Sequence, residues 1–272
     1  MEKPTAVDLS GIRSILASSQ ESKNKGLSIV AGTQRRHQFP YIETQRRVAD
    51  GAIGKIVSAS CHWMQGQLWY RAQKPGWTGA GSHGDHIVEQ HVHNLDVIHW
   101  FTGEMLESAS GAGGRLRRVT GNQYDFFEVD YSFPSGVKLH SRCRQINGCH
   151  NDVSEMVVGT KGYTNCLDTI YDLDGNVSWV YEGPRPRAYV QEHTDLVTAI
   201  RSEKPINEAR QVAESTLTTI MGRISAYTGK KVSREEILQM DLRLGPSEYE
   251  LGPLASDPVP IPGAPAGPPK PV

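Results

Sequence analysis

Hydrophobic positions recur every three or four residues towards both ends of the chain and every second residue in its middle, and the two rhythms predict different elements. Over residues 8–25, Ile12, Ile15 and Leu16 form one apolar stripe, Asp8 or Ser10 offers a capping oxygen, and Gly26 closes the helix. Leu27-Ser28-Ile29-Val30-Ala31 reads as a short buried strand that stops at Gly32. A helix followed by a strand is the repeating unit of an α/β sheet. Residues 40–50 predict a helix ending at Gly51, Ile53–Trp63 a strand, Gln65–Gly84 a polar, aromatic, glycine-rich loop, and 86–102 a helix stopped by Gly103. From Gln123 the period changes to two. Phe127, Val129, Tyr131 and Phe133 alternate with Glu128, Asp130 and Ser132. After the turn Pro134-Ser135-Gly136, Val137, Leu139, Ser141 and Cys143 alternate with Lys138, His140, Arg142 and Arg144. This is a β-hairpin with one buried face. Further strands are expected near 153–158 and 164–181, then helices over 191–202 and 207–228. The second of these carries Asn207 as a cap, the stripe Val212, Leu217, Ile220, Ile224, and Gly229 at its end. Ser233 and Glu236 make a capping-box pattern for a last short helix. From Gly252 the chain is rich in proline and reads as an extended tail laid across a neighbour.

Composition narrows the function classes. With 272 residues and 38% hydrophobic residues, the chain has material for one large core, or a domain and a smaller piece. A net charge of −1 leaves no electrostatic footprint for nucleic acid or for an anionic membrane surface. The apolar runs are far too short to span a bilayer. The start, Met1-Glu2-Lys3-Pro4, lacks the apolar stretch of a signal peptide. Cys61, Cys143, Cys149 and Cys166 form no CxxC pair, so reduced thiols in a cytosol-like, cytoplasmic setting are expected.

Two patterns imitate chemistry. Gly79-Ala80-Gly81-Ser82-His83-Gly84 spells GxGxxG, but no strand precedes it, and a pyrophosphate site needs a strand before the loop and a helix after it. Gly111-Ala112-Gly113-Gly114 reads as a flexible turn. His83, His86, His91, His93 and His99 crowd one stretch, and a zinc or iron site is the sharp reading. On a helix, however, His91 and His93 lie about 200° apart, so one ion would not face both. Trp69, Tyr70 and Trp77 suit either a sugar pocket or ordinary loop packing. Arg35 and Arg36 suit plain surface charge.

The 86–102 helix carries the most informative pair. Glu89 and His93 are four residues apart and share a face, with Asp96 continuing the line. A carboxylate one turn from a histidine can accept its Nδ1 proton, set its tautomer and raise its basicity. The same pair also suits an ordinary surface contact.

Met1-Glu2-Lys3-Pro4, the segment LSIVAGTQRR, the stretch RRVADGAIGKIVSAS, the helix EQHVHNLD with an acid four residues before a histidine, and the later EMVVGTKG and EHTDLVTAIRSEKPINEARQVAESTLTTIMGR together resemble the Gfo/Idh/MocA oxidoreductases, which include glucose–fructose oxidoreductase and inositol 2-dehydrogenase. The resemblance runs to about residue 260. It implies an α/β (α+β) fold: a remnant of a Rossmann domain over 1–37, then a C-terminal domain over 38–251 with a large, open, mostly antiparallel sheet covered by helices on one face, and a tail over 252–272. It implies NAD or NADP as cofactor and hydride transfer from a secondary hydroxyl of a sugar or polyol.

By the same resemblance, Lys3 is the lysine of the EKP motif that polarises the reacting oxygen, and His93 takes the hydroxyl proton. Glu89 stands where most members have aspartate. Glu2, Lys3, Pro4, Gln34 and Arg35 are expected at the cofactor edge, and Trp77, His83 and Asn94 at the substrate. Family members begin with a full nucleotide-binding half ahead of EKP, so the chain is expected to be N-terminally truncated and to bind NAD(P) weakly. The loop over 73–84 is shorter than expected of relatives. A homo-oligomer, dimer or tetramer, is expected because a large open sheet needs cover. Two other readings stand beside this one: a non-catalytic oligomerisation module, and a metal-dependent hydrolase or lyase built on the histidines.

Overall fold

The structure is a computed structural model that describes residues 1–66, 84–119, 121–244 and 258–263. Among these residues the middle of the chain forms a nine-stranded sheet: β1 (Ile56–Gln65), β2 (Ser108–Gly114), β3 (Phe126–Ser132), β4 (Lys138–Gln145), β5 (Asp152–Gly159), β6 (Gly162–Thr164), β7 (Thr169–Asp172), β8 (Val177–Val180) and β9 (Val232–Ser233), in the order β8-β7-β6-β5-β1-β4-β3-β2-β9. Every pairing is antiparallel except β1 with β4. The period-two reading of β3 and β4 holds: Phe127, Val129, Tyr131 and Leu139 are buried, while Glu128, Asp130, Lys138 and His140 lie on the other, open face. On that open face His140 sits 2.7 Å from Asp130, a cross-strand contact between register partners.

Helices cover the apolar face. They are α1 (Leu9–Asn24), α2 (Phe39–Ala49), α3 (Asp85–Glu89), α4 (Val92–Thr102), α5 (Ala188–Arg201), α6 (Ala209–Thr228) and α7 (Arg234–Gln239), with a 3₁₀ turn over Gln34–His37. Asp8 caps α1 by accepting the Gly11 amide at 2.8 Å, and Ser233 with Glu236 forms the expected capping box on α7. Leu95 and Ile98 of α4 and Leu217, Ile220 and Met221 of α6 enter one core with Phe127, Tyr131 and Leu139. Each large apolar side chain so buried stabilises the fold by roughly 1.5–3 kcal/mol. Leu9 and Ile12 of α1 join this same core, so residues 1–37 do not pack as a separate body.

Four expectations change. The glycine run 111–114 is a strand, β2, and not a turn. A Cβ at Gly111 would lie 3.2 Å from the Gly222 carbonyl of α6 and 3.1 Å from Val129, so its lack of side chain lets a helix lie directly on the strand. The strand expected at 27–31 is reduced to extended backbone with one bridge, Ile29 to Asn207. The single helix expected over 86–102 is two helices. His91 N–H reaches back five residues to His86 O, and His93 N–H only three to Gln90 O, so a wide turn followed by a tight one rotates α4 relative to α3. The described part of the proline-rich tail lies on its own chain: Tyr124 donates to Pro260 O at 2.8 Å, and Gly263 N–H to Thr228 O at 3.2 Å.

Candidate active site

Three extended segments run parallel beside the sheet. Met1 donates to Val30 O at 2.7 Å and Gly32 N–H to Met1 O at 2.9 Å, while Ile29 N–H donates to Ile206 O and Glu208 N–H to Ile29 O. Their carboxyl ends therefore lie together, the place where open α/β sheets bind ligands. Lys3 emerges there, ahead of a cis peptide to Pro4. Its ammonium bonds to the Glu89 main-chain oxygen and stands 3.3 Å from Glu89 Oε1. Gln90 donates to the other carboxylate oxygen of Glu89.

His93, on the first turn of α4, lies stacked on Trp63 of β1 with ring centres 5.8 Å apart and planes at 23°. Among the described residues its Nδ1 has no hydrogen-bond partner. The structure thus brings Lys3, Glu89 and His93 into one place, but the expected Glu89–Nδ1 bond is not made: Glu89 serves Lys3, because the break between α3 and α4 takes the two side chains out of the simple one-turn relation. Asp96 leaves the line too. It is buried against Arg36, with Nε–Oδ2 at 2.8 Å and Nη2–Oδ1 at 3.0 Å, and accepts from Ser215. Burial, and then the positive charges of Lys3 and Arg35, hold His93 well below the ordinary histidine range. The imidazole is therefore neutral at neutral pH and able to accept a proton.

Arg35 and Arg36 are not surface charges. Arg35 pairs with Glu155 of β5, and its guanidinium lies over Trp63 at 5.7 Å and over Tyr41 at 5.9 Å. Glu155 also accepts from Tyr41 at 3.0 Å and from Asn94 at 2.6 Å. Asn94, expected at the substrate, is fully buried and spends its amide on Glu155 and on the His62 and Ser154 carbonyls. Sequence reasoning missed Glu155, Tyr41 and Trp63. The signal for Glu155 is its parity: it shares the buried face of β5 with Val157, where a carboxylate needs partners.

Glu2 and Gly32 border a cavity of about 280 Å³ that Val30, Ala31, Glu192 and His193 also line. A Cβ on residue 32 would meet the Glu2 carboxylate at 2.6 Å. Gln34 opens the 3₁₀ turn next to Arg35. Trp77 and His83, like Trp69, Tyr70 and most of the GxGxxG look-alike, lie outside the described residues. The remaining crowded histidines point apart. His86 packs on Phe127, His91 contacts Ser141 at 2.7 Å, and His99 contacts Thr218 at 3.1 Å. Among the described residues no group of three His, Cys, Asp or Glu side chains is arranged to hold a metal ion, and all four cysteines are free. No described helix is long and apolar enough to cross a membrane.

Comparison with known proteins agrees with this fold. Residues 41–165 match the family model of the GFO/IDH/MocA C-terminal domain. The chain is similar to a scyllo-inositol 2-dehydrogenase (NAD(+)) of Bacillus subtilis, 25% identical over 167 residues, which are 60% of this chain and 46% of that protein. It is also similar to a 2,7-anhydro-N-acetylneuraminate hydratase of Escherichia coli, 25% identical over 139 residues, 50% of this chain and 36% of that one. These matches span less than half the length of either curated relative. Among solved structures, an oxidoreductase domain protein from Kribbella flavida superimposes with a TM-score of 0.69 at 18% identity, over 85% of this chain and 72% of that one, which shows a shared fold.

Proposed function

We propose, from the match of residues 41–165 to the GFO/IDH/MocA C-terminal domain, that this chain belongs to that family and serves an NAD(P)-dependent oxidoreductase acting on a secondary hydroxyl of a sugar or polyol. The observation that carries this reading is the meeting of Lys3 with the α3–α4 junction, beside a neutral, buried His93. Oxidising an alcohol needs an acceptor for the hydroxyl proton and a cation beside the oxygen as charge develops on it. His93 is the acceptor. Lys3 is the cation, aimed by Glu89, which anchors the ammonium through both its main chain and its carboxylate. The like charges of Lys3 and Arg35 keep His93 unprotonated until negative charge forms on the substrate oxygen. Trp63 supplies a flat wall that excludes water from one side of the imidazole.

A bound nicotinamide would accept the hydride. The residues available to hold that end of the cofactor are Glu2 and Gly32, which line the cavity of about 280 Å³ at the ends of the parallel segments, and Lys3, which follows Glu2 and reaches Glu89. The dehydrogenase named above works with NAD(+), which supports the same cofactor class here. We extend the proposal to assembly: a second copy covers the open sheet face, giving a dimer or tetramer whose mass light scattering would read.

The test is polyol-dependent reduction of NAD(+) or NADP(+) across a panel of inositols, aldoses and sugar acids. Turnover that disappears in Lys3→Met and in His93→Ala is the expected result. Turnover that survives both substitutions would overturn the assignment of roles, and micromolar nicotinamide binding by calorimetry would overturn the expectation that this chain binds the cofactor weakly.

A further inference from the structure

Behind His93 lies an ion pair that the proton-transfer chemistry above does not use. Arg35 comes from the 3₁₀ turn, Glu155 from β5, Tyr41 from α2, Asn94 from α4 and Trp63 from β1, so five elements meet at one guanidinium–carboxylate contact. Glu155 is 5% exposed, and the side chain of Arg35 12% exposed. A charge pair this deep is costly to bury and is kept only with full hydrogen bonding. Here the carboxylate has it: Arg35, Tyr41 and Asn94 all donate to it. The guanidinium is then held over the Trp63 ring, and His93 is stacked on that same ring.

We propose that Glu155 is a positioning residue for His93: it locks Arg35 onto Trp63, and the locked indole is the surface that orients the imidazole. The geometry stands on its own, while its meaning for turnover rests on the reading of His93 as proton acceptor. The arrangement does two jobs through one contact. It fixes the indole, because Arg35 cannot move off the Trp63 ring without breaking the Arg35–Glu155 contact. It also keeps one positive charge near the imidazole at constant strength, because Glu155 partly neutralises Arg35 and holds it at a fixed place. Other ionisable groups around the cluster are Lys3 from the N-terminal segment, Glu89 from α3, Asp96 from α4, Tyr41 from α2 and Cys61 from β1. Of these, Lys3 acts on His93 in the same sense as Arg35.

Histidine-labelled protein, the full 272-residue chain, allows the test by NMR without any substrate. Glu155→Gln keeps the shape of the side chain but removes the charge that holds Arg35, and is expected to abolish the nuclear Overhauser contact between the Trp63 and His93 rings. Glu155→Asp, which retains the charge, is expected to keep that contact. The double substitution Arg35→Met with Glu155→Gln removes both charges together, so it tests the idea even where Glu155→Gln alone fails to fold. In it, His93 is expected to protonate at a higher pH than in the parent, because Arg35 acts on His93 directly and Glu155 offsets that charge only in part. A purely structural role would lower the melting temperature of these variants but leave the ring contact and the titration in place, and that result would overturn the proposal. Failure of the catalytic reading would look different: unchanged turnover in His93→Ala, with the ring contact and titration responding as stated.

Discussion

His37 and His93 are both buried histidines beside arginine-rich segments, yet their surroundings drive them in opposite directions. His37 sits between two carboxylates, with Nδ1 2.6 Å from Asp195 Oδ2 and Nε2 3.1 Å from Glu208 Oε1, the latter off the line of a hydrogen bond. Burial opposes its charge, but Glu208 and Asp195 outweigh burial and raise its pKa to about 9. His93 has burial, Lys3 and Arg35 all acting against its charge. The first is therefore a permanent cation over the physiological range, joining the 3₁₀ turn to α5 and α6. The second is a neutral ring kept ready to receive a proton. One residue type becomes a structural tie or a chemical group according to the sign of the charges that long-range packing sets beside it.

Several experiments break or sharpen this contrast. The largest effect is expected at His93. In active enzyme, His93→Ala should lower kcat by roughly 10²–10⁴-fold, the usual worth of a proton acceptor, while nicotinamide affinity changes little. Steady-state kinetics beside calorimetry reads both, and an equal loss of the two would make His93 a cofactor contact instead. Next comes the neighbouring pair. Arg36→Leu leaves the Asp96 carboxylate, 1% exposed, buried without its cation, and should cost about 3–5 kcal/mol in urea unfolding.

At His37 the effect is a matter of pH. Its folded pKa is raised above the unfolded value of 6.5, so its contribution is fully present below pH 6.5 and is lost as pH rises through about 9. That contribution is about 3–4 kcal/mol at most, since each pH unit between the unfolded and folded values is worth about 1.4 kcal/mol. His37→Gln should remove this decline between pH 6.5 and 9. His86, His91 and His99 carry the opposite sign: burial lowers them to about 3, 3 and 4, so the folded state loses stability as pH falls below 6.5. His37→Gln should leave that acid limb in place, and a flattened acid limb would contradict the division. The smallest effect is expected far from either histidine. Gly111→Ala should cost about 1–3 kcal/mol, because the added carbon meets backbone of α6 that cannot step aside.

The sequence by itself determined most of the elements. Period-two alternation places β3 and β4 with their inward faces, the apolar stripe places α6, and Ser233 with Glu236 opens α7, because each of these depends on neighbours within a turn or a strand pair. Lys3 and His93 were legible through the resemblance of their surrounding motifs. The tertiary structure alone decided what those groups touch. Arg35 finds Glu155 120 residues away, Arg36 finds Asp96 60 away, and His37 finds Asp195 158 away. No local pattern encodes such partners; they exist only once the sheet order sets β5 beside β1 and packs the helices over both. The same holds for the break between α3 and α4, which turns Glu89 from a partner of His93 into the anchor of Lys3. Local propensity favours one helix there, and the separate burial of His86 against Phe127 and His91 against Ser141 accompanies two.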